Sequence, residues 1–115
     1  FEAAGRNRAG VGARAFFMIG DVYFKQKKFS EAIKQFDRTL LRFETDDAKP
    51  WQALSAYEAG RCKEVLAAEA EDPEVKKELI RQAIDYYQQI VDVYSETEHV
   101  VMAKSRIEEL MKVLQ

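Results

Sequence analysis

The most informative segment of the chain is FFMIGDVYFKQKKFSEAIKQF, Phe16–Phe36. Apolar residues recur in it at three- and four-residue steps, which is typical of one face of an amphipathic α-helix. Gly20 interrupts the first apolar run, although a glycine inside a helix costs about 1 kcal/mol relative to alanine. The polar segment KQKK then breaks the pattern and predicts a short turn between two helices. Gly20 therefore needs a packing reason or a turn to explain it.

Helical periodicity continues along the rest of the chain. Apolar stripes follow Phe29 and Ile80, and a third runs from Ala103 to Leu114. No stretch alternates with a period of two over the length of a strand, so we expect no sheet. The predicted helices span roughly 10–27, 30–44, 50–70, 73–94 and 97–114, as antiparallel neighbours joined by short loops.

Helix start signals support this division. Asp72 before Pro73 predicts an N-cap followed by a proline at the first helical position. Ser95 and Glu98 have the spacing of a capping box and predict the start of the last helix. The polar run ETDDAK predicts a loop, with a new helix beginning near Pro50.

Length, charge and hydropathy exclude several classes of protein. The 115 residues suffice for one domain with a modest core. The formal net charge of −2 offers no overall field to attract nucleic acid or an anionic membrane. No apolar run approaches the ~20 residues that a transmembrane helix needs. A single cysteine, Cys62, excludes an internal disulfide and a cysteine-based zinc site.

A repeat motif explains the glycine. The spacing W-x₂-L-G-x₂-Y followed by A-x₃-F is met by Phe16, Ile19, Gly20, Tyr23, Ala32 and Phe36. These residues resemble the tetratricopeptide repeat, a helix–turn–helix unit. The resemblance implies that Gly20 and Ala32 lie where the two helices of a hairpin cross closely.

A second copy of the unit is visible at a longer spacing. Ala32, Ile33, Phe36, Leu40 and Phe43, moved by 51 positions, fall on Ala83, Ile84, Tyr87, Val91 and Tyr94. Gly20, moved by 40 positions, falls on Gly60. Because the two offsets differ by 11 residues, we expect the second hairpin to be longer by about three helical turns.

The predicted fold is all-α: a short right-handed tetratricopeptide-like solenoid of about five helices. Its first repeat spans about 13–46, its elongated second repeat about 50–96, and a capping helix about 97–114, while 1–12 would be the remnant of a preceding segment. Two repeats are fewer than the usual ~3, so we expect earlier repeats or a dimer partner to complete the array. The alternative is an unrelated antiparallel helix bundle.

The sequence contains no recognisable catalytic or cofactor site, so we predict no enzyme activity, no cofactor and no metal. His99 has no nucleophile at a meaningful spacing and is predicted to be a solvated loop residue. The acidic runs lack the ligand spacing of a calcium loop. Cys62 is predicted to be a small buried residue rather than a reactive thiol.

The tetratricopeptide resemblance implies a groove lined by the first helix of each hairpin. The predicted partner-binding residues are Phe17, Asp21, Phe24, Tyr57, Arg61 and Glu64. Phe17 and Phe24 would form an exposed aromatic pair, unless residues 1–12 or a preceding repeat cover them. The family's clamp for a terminal carboxylate, built from Lys and Asn, is not matched here, so an apolar or mixed segment is the expected ligand.

These observations predict a non-catalytic module that binds a protein or peptide partner. The alternative is a structural role, as a homo-oligomer or as a linker within a larger envelope protein. The tail QQIVDVYSETEHVVMAKSRIEEL is similar to bacterial envelope members of the family, such as the Tol–Pal coordinator and the outer-membrane-assembly lipoproteins. That similarity favours a bacterial periplasmic location over the cytoplasm.

Overall fold

The fold consists of antiparallel helices in chain order. The structure, a computed structural model, describes the backbone of residues 2–43 and 45–115 and the side chains of residues 10–43 and 45–115. Within these ranges it contains α1 (Glu2–Lys25), α2 (Phe29–Arg42), α3 (Lys49–Glu69), α4 (Pro73–Val93) and α5 (Val100–Leu114), with a 3₁₀ turn at Asp46–Ala48. Each helix packs against the next, and α1 also contacts α3. The predicted all-α, tetratricopeptide-like fold is confirmed.

The turn between α1 and α2 is closed by the backbone. Lys27 adopts a left-handed conformation, with φ of 62°. The Lys28 amide donates to the Tyr23 carbonyl at 2.9 Å and the Lys27 amide donates to the Phe24 carbonyl at 2.9 Å. This pair of bonds is the Schellman arrangement, which satisfies carbonyls at the end of a helix. The predicted turn therefore lies at residues 26–28.

Glycines occupy both hairpin crossings. A Cβ added to Gly20 would lie 2.5 Å from the nearest carbon of the Phe36 ring, and one added to Gly60 would lie 2.7 Å from the Tyr87 ring. Both rings are fully buried. The helical cost of each glycine is therefore offset by an aromatic ring of the second helix, which packs directly on the backbone of the first.

The second hairpin is longer in a way that preserves its packing. Both turns contain three residues, 26–28 and 70–72. The segment from the crossing glycine to the end of its helix is four residues longer in α3 than in α1. The segment from the start of the second helix to the crossing ring is seven residues longer in α4 than in α2. Four and seven residues are close to one and two turns of helix, so the crossing residues keep their faces. Together they account for the 11 extra residues.

Several predicted boundaries are wrong. α1 begins at Glu2 rather than near residue 10. α5 begins at Val100, and its N-cap His99 makes no capping hydrogen bond through its side chain, so the predicted capping box does not start this helix. The Asp72 N-cap is confirmed, because its Oδ1 accepts a bond of 2.9 Å from the Glu74 amide.

Ile19 also departs from its predicted role. The motif places it in the packing stripe of the first hairpin, yet its side chain is 45% exposed. It lies on the face of α1 that no described helix covers.

Candidate functional site

The two phenylalanines predicted as an exposed pair are half-buried. The Phe17 ring lies 5.7 Å from that of Phe36 and 5.8 Å from that of Trp51. The Phe24 ring meets that of Phe29 edge-on at 5.4 Å. Rings from α2 and α3 thus cover much of this pair. The sequence left open whether this pair is exposed or covered, because the motif says nothing of which neighbours reach these rings; the pair is in fact partly covered, by rings of α2 and α3.

Arg61 joins the two hairpins across this surface. Its guanidinium carbon lies 5.0 Å from the centre of the Phe24 ring, within the range of a cation–π contact. The same guanidinium donates to Glu58 at 3.0 and 3.1 Å. Asp21, one turn before Phe24, pairs with Lys25 at 3.0 Å. The predicted residues of α1 and α3 therefore lie side by side.

Glu58 is an acid held in a largely buried position, with only 9% of its surface exposed. Burial raises the pKa of its carboxyl, against the attraction of Arg61, which lowers it. The two hydrogen bonds to the Glu58 carboxylate restrict the orientation of the Arg61 guanidinium over the Phe24 ring.

A second polar cluster lies further along α3. Glu64 accepts a hydrogen bond of 2.5 Å from the Tyr87 hydroxyl and forms a two-pronged ion pair with Arg106 of α5. Burial, followed by the bond to Glu64, raises the pKa of Tyr87. The centre of the Tyr57 ring lies 5.6 Å from that of Tyr87 and 5.9 Å from that of His99, and both neighbouring rings are tilted to it. Here α3, α4 and α5 are tied together.

An open cleft lies between α3 and α5 on this surface. It has a volume of about 270 Å³ and is lined by Tyr57, Arg61, Glu64, Val65 and Arg106. Three of the six predicted groove residues are therefore brought together, next to Phe24 under Arg61. A larger cleft of about 450 Å³ lies between α2 and α4, but none of the predicted residues lines it.

Sequence reasoning missed three residues of this surface. Arg106 and Glu58 fix the charged groups of the groove, and His99, predicted as solvated, is half-buried against Tyr57. The repeat offset could not find Arg106 or His99, because both lie beyond the second hairpin. The pairing of Glu58 with Arg61 could have been predicted from the sequence, since Glu58 precedes Arg61 by about one helical turn.

In residues 10–43 and 45–115, no three of the His, Cys, Asp and Glu side chains are placed to hold a metal ion together. Among the helices described, none combines the length and apolarity that a membrane span requires. Cys62 is fully buried, and burial raises the pKa of its thiol to about 12.

Comparison with known proteins identifies the first hairpin. Residues 14–45 match the family model of the tetratricopeptide repeat. No curated protein and no solved structure matches the chain. The family match supports a tetratricopeptide-like protein, and repeats of this class generally serve as protein–protein interaction modules.

Proposed function

We propose that this chain is a non-catalytic interaction module that binds a peptide or helix in the groove formed by α1, α3 and α5. The groove consists of Phe17, Asp21, Phe24, Tyr57, Arg61 and Glu64, extended by Arg106. The observation that carries the proposal is the convergence of side chains from separate helices on one open cleft, next to an aromatic face.

The charge pattern of the groove limits the ligand. Arg61 is paired with Glu58, and Arg106 is paired with Glu64. A terminal carboxylate would have to compete with these internal carboxylates for the same guanidinium groups, which lowers its net gain. Aromatic and aliphatic ligand groups face no such competition at Tyr57, Val65 and the edge of Phe24. An apolar or mixed peptide segment therefore suits the groove better than an acidic tail.

A peptide selection with a matched control tests the groove. A display library of random peptides is selected on the immobilised chain, and the enriched peptides are then titrated against two variants. Arg61→Glu inverts the charge that crosses the groove. Arg81→Glu is the control, because Arg81 is similarly exposed, at 54% against 48%, and is also paired with a glutamate three residues earlier, but lies on α4 outside the groove.

The two variants separate specific binding from general charge effects. We expect selected peptides to lose about tenfold or more in affinity for Arg61→Glu and to keep their affinity for Arg81→Glu. Peptides that bind both variants like the parent chain would refute the groove, as would a selection that enriches no binder. Circular dichroism melting confirms that each variant remains folded.

We also propose a location for the protein. The similarity of the tail to envelope proteins supports a bacterial periplasmic site, which fractionation of the protein in its native host would test. The second candidate function, structural self-association, is favoured by an exposed apolar face on α1.

A further inference from the structure

An apolar stripe runs along the outer face of α1. Val11, Met18 and Val22 are 65%, 51% and 53% exposed, and Ala15 is exposed between them. These four residues are separated by four, three and four positions. That spacing is the a/d seam of a heptad, which is the pattern by which one helix packs along another. Ile19 widens the stripe on one side.

The equivalent face of α3 is covered by the rest of the fold. Moved by the repeat offset of 40, Met18, Ile19 and Val22 fall on Glu58, Ala59 and Cys62. These three are 9%, 0% and 0% exposed, and the last two pack with residues of α2 in one core cluster. The same face of the repeat is therefore buried under helices in the second unit and open in the first.

The other end of the molecule restricts what can cover α1. A second copy stacked head to tail would have to offer the outer face of its α3–α4 hairpin. That face is already occupied by α5, whose Ala103 and Leu110 are buried in a core cluster with Tyr87 and Ile90. A second copy can therefore reach the stripe with its own stripe, which forms a closed twofold contact.

Charges beside the stripe suit an antiparallel pair. With Val11 and Met18 at d and Ala15 and Val22 at a, Arg14 and Asp21 both occupy g positions, seven residues apart. In an antiparallel pair, g positions of one helix face g positions of the other. Arg14 of each copy then lies opposite Asp21 of its partner. Both side chains are accessible, with that of Asp21 35% exposed, so the pair would exchange the Asp21–Lys25 contact within α1 and the contact of Arg14 with the Trp51 ring for contacts between the two copies.

We propose that the α1 stripe joins two copies of this chain in an antiparallel, twofold-symmetric helix pair. This contact shares only Asp21 with the proposed ligand groove, and it rests on the second candidate function, structural self-association, for which it names the surface and the geometry. Its occupant is a second copy, because the stripe is self-complementary in both its apolar spacing and its flanking charges.

Sedimentation velocity over a concentration series tests the pair. We expect the parent chain to dimerise, and Met18→Glu with Val22→Glu to weaken the dimer about a hundredfold or more. The matched control is Met102→Glu with Val101→Glu on α5, since these two side chains are 51% and 72% exposed and lie outside the stripe. The control, and the groove variant Arg61→Glu, should dimerise like the parent.

Charge reversal tests the register. Arg14→Glu should raise the dissociation constant about tenfold, because two attractive pairs become repulsive. Arg14→Glu combined with Asp21→Arg should restore it to within about threefold of the parent value. A chain that stays monomeric at every concentration overturns the proposal. A dimer that tolerates the stripe variant, or that the reversal fails to restore, also overturns it.

Discussion

Replacing Gly20 with alanine tests the central packing argument, because two known effects oppose each other at this position. Alanine favours a helix over glycine by about 1 kcal/mol, so an unconstrained site would gain stability. At Gly20 the new Cβ would lie 2.5, 2.7 and 3.0 Å from three carbons of the Phe36 ring. The nearest of these is about 0.9 Å inside the 3.4 Å limit of ordinary contact.

Steric cost should exceed the gain in helix propensity. The Phe36 ring is fully buried, so it cannot swing into solvent, and overpacking of this kind costs about 1–3 kcal/mol. We expect a net loss of about 1–2 kcal/mol, taking the upper part of that range because the overlap involves ring carbons of a fully enclosed side chain. For a chain of this length, such a loss lowers the Tm by about 4–8 °C.

Urea denaturation of a double-mutant cycle supplies the assay. Gly20→Ala is measured alone and in the background of Phe36→Leu, where the shorter side chain vacates part of the space. The substitution should be destabilising in the parent and neutral or stabilising in the second background, with a coupling of about 1 kcal/mol or more. Gly60→Ala should repeat the loss at the second crossing, where Tyr87 is also held by Glu64. A gain of about 1 kcal/mol from Gly20→Ala in the parent would refute the close crossing.

Four further outcomes concern buried or strained groups. The Cys62 thiol, with its pKa raised to about 12, should resist alkylation at about pH 8 until the protein is unfolded; rapid labelling of the native protein would contradict its burial. Gln52→Leu should lower the free energy of unfolding in urea by about 2 kcal/mol, because the Gln52 side-chain amide donates to two carbonyls at the end of α2, at 2.6 and 3.2 Å. The exposed control Gln89→Leu should change this free energy little. Equal losses in the two variants would count against the role of Gln52. Lys27→Gly should gain about 1 kcal/mol, since glycine accepts a φ of 62° without strain, and a loss would contradict the assigned turn. The pKa of the Glu58 carboxyl is higher in the folded state, so the native protein keeps this proton to a higher pH than the unfolded chain does. The free energy of unfolding, compared with that of Glu58→Gln, should therefore fall as the pH rises from about 4.5 through the raised pKa. A rise over this pH range would show that the attraction of Arg61 outweighs burial.

Local patterns in the sequence accounted for most of the fold. Apolar residues at three- and four-residue steps predict α1, α2, α4 and α5, because burying one face is the main reason such helices form. α3 is buried on more than one side, and its prediction depended on the boundary signals near Pro50 and Asp72. The offset of 40 indicated both crossings, since a small residue is needed where two helices approach closely, but the aromatic rings that meet Gly20 and Gly60 are seen only in the structure. The Asp72 cap was equally readable, because its hydrogen bond spans only two residues. The start of α5 was predicted wrongly, because the capping-box pattern lies in a loop where the chain makes a turn instead of starting the helix.

The surface around Arg61 was predicted only in part, for a physical reason. Repeat spacing places Phe17, Phe24 and Arg61 on two helices that pack together, but it does not tell whether other side chains cover them. The ring of Trp51 over Phe17 and the pairing of Arg106 with Glu64 join residues 34 and 42 positions apart, and such contacts depend on the angles at which whole helices pack. Local periodicity, helix boundary signals and residue size are enough to predict the helices, the repeat and the crossings. The packed structure is needed to show which aromatic rings are covered, which charges are paired and which face of α1 is left open, because burial belongs to the assembled helices and not to any one of them.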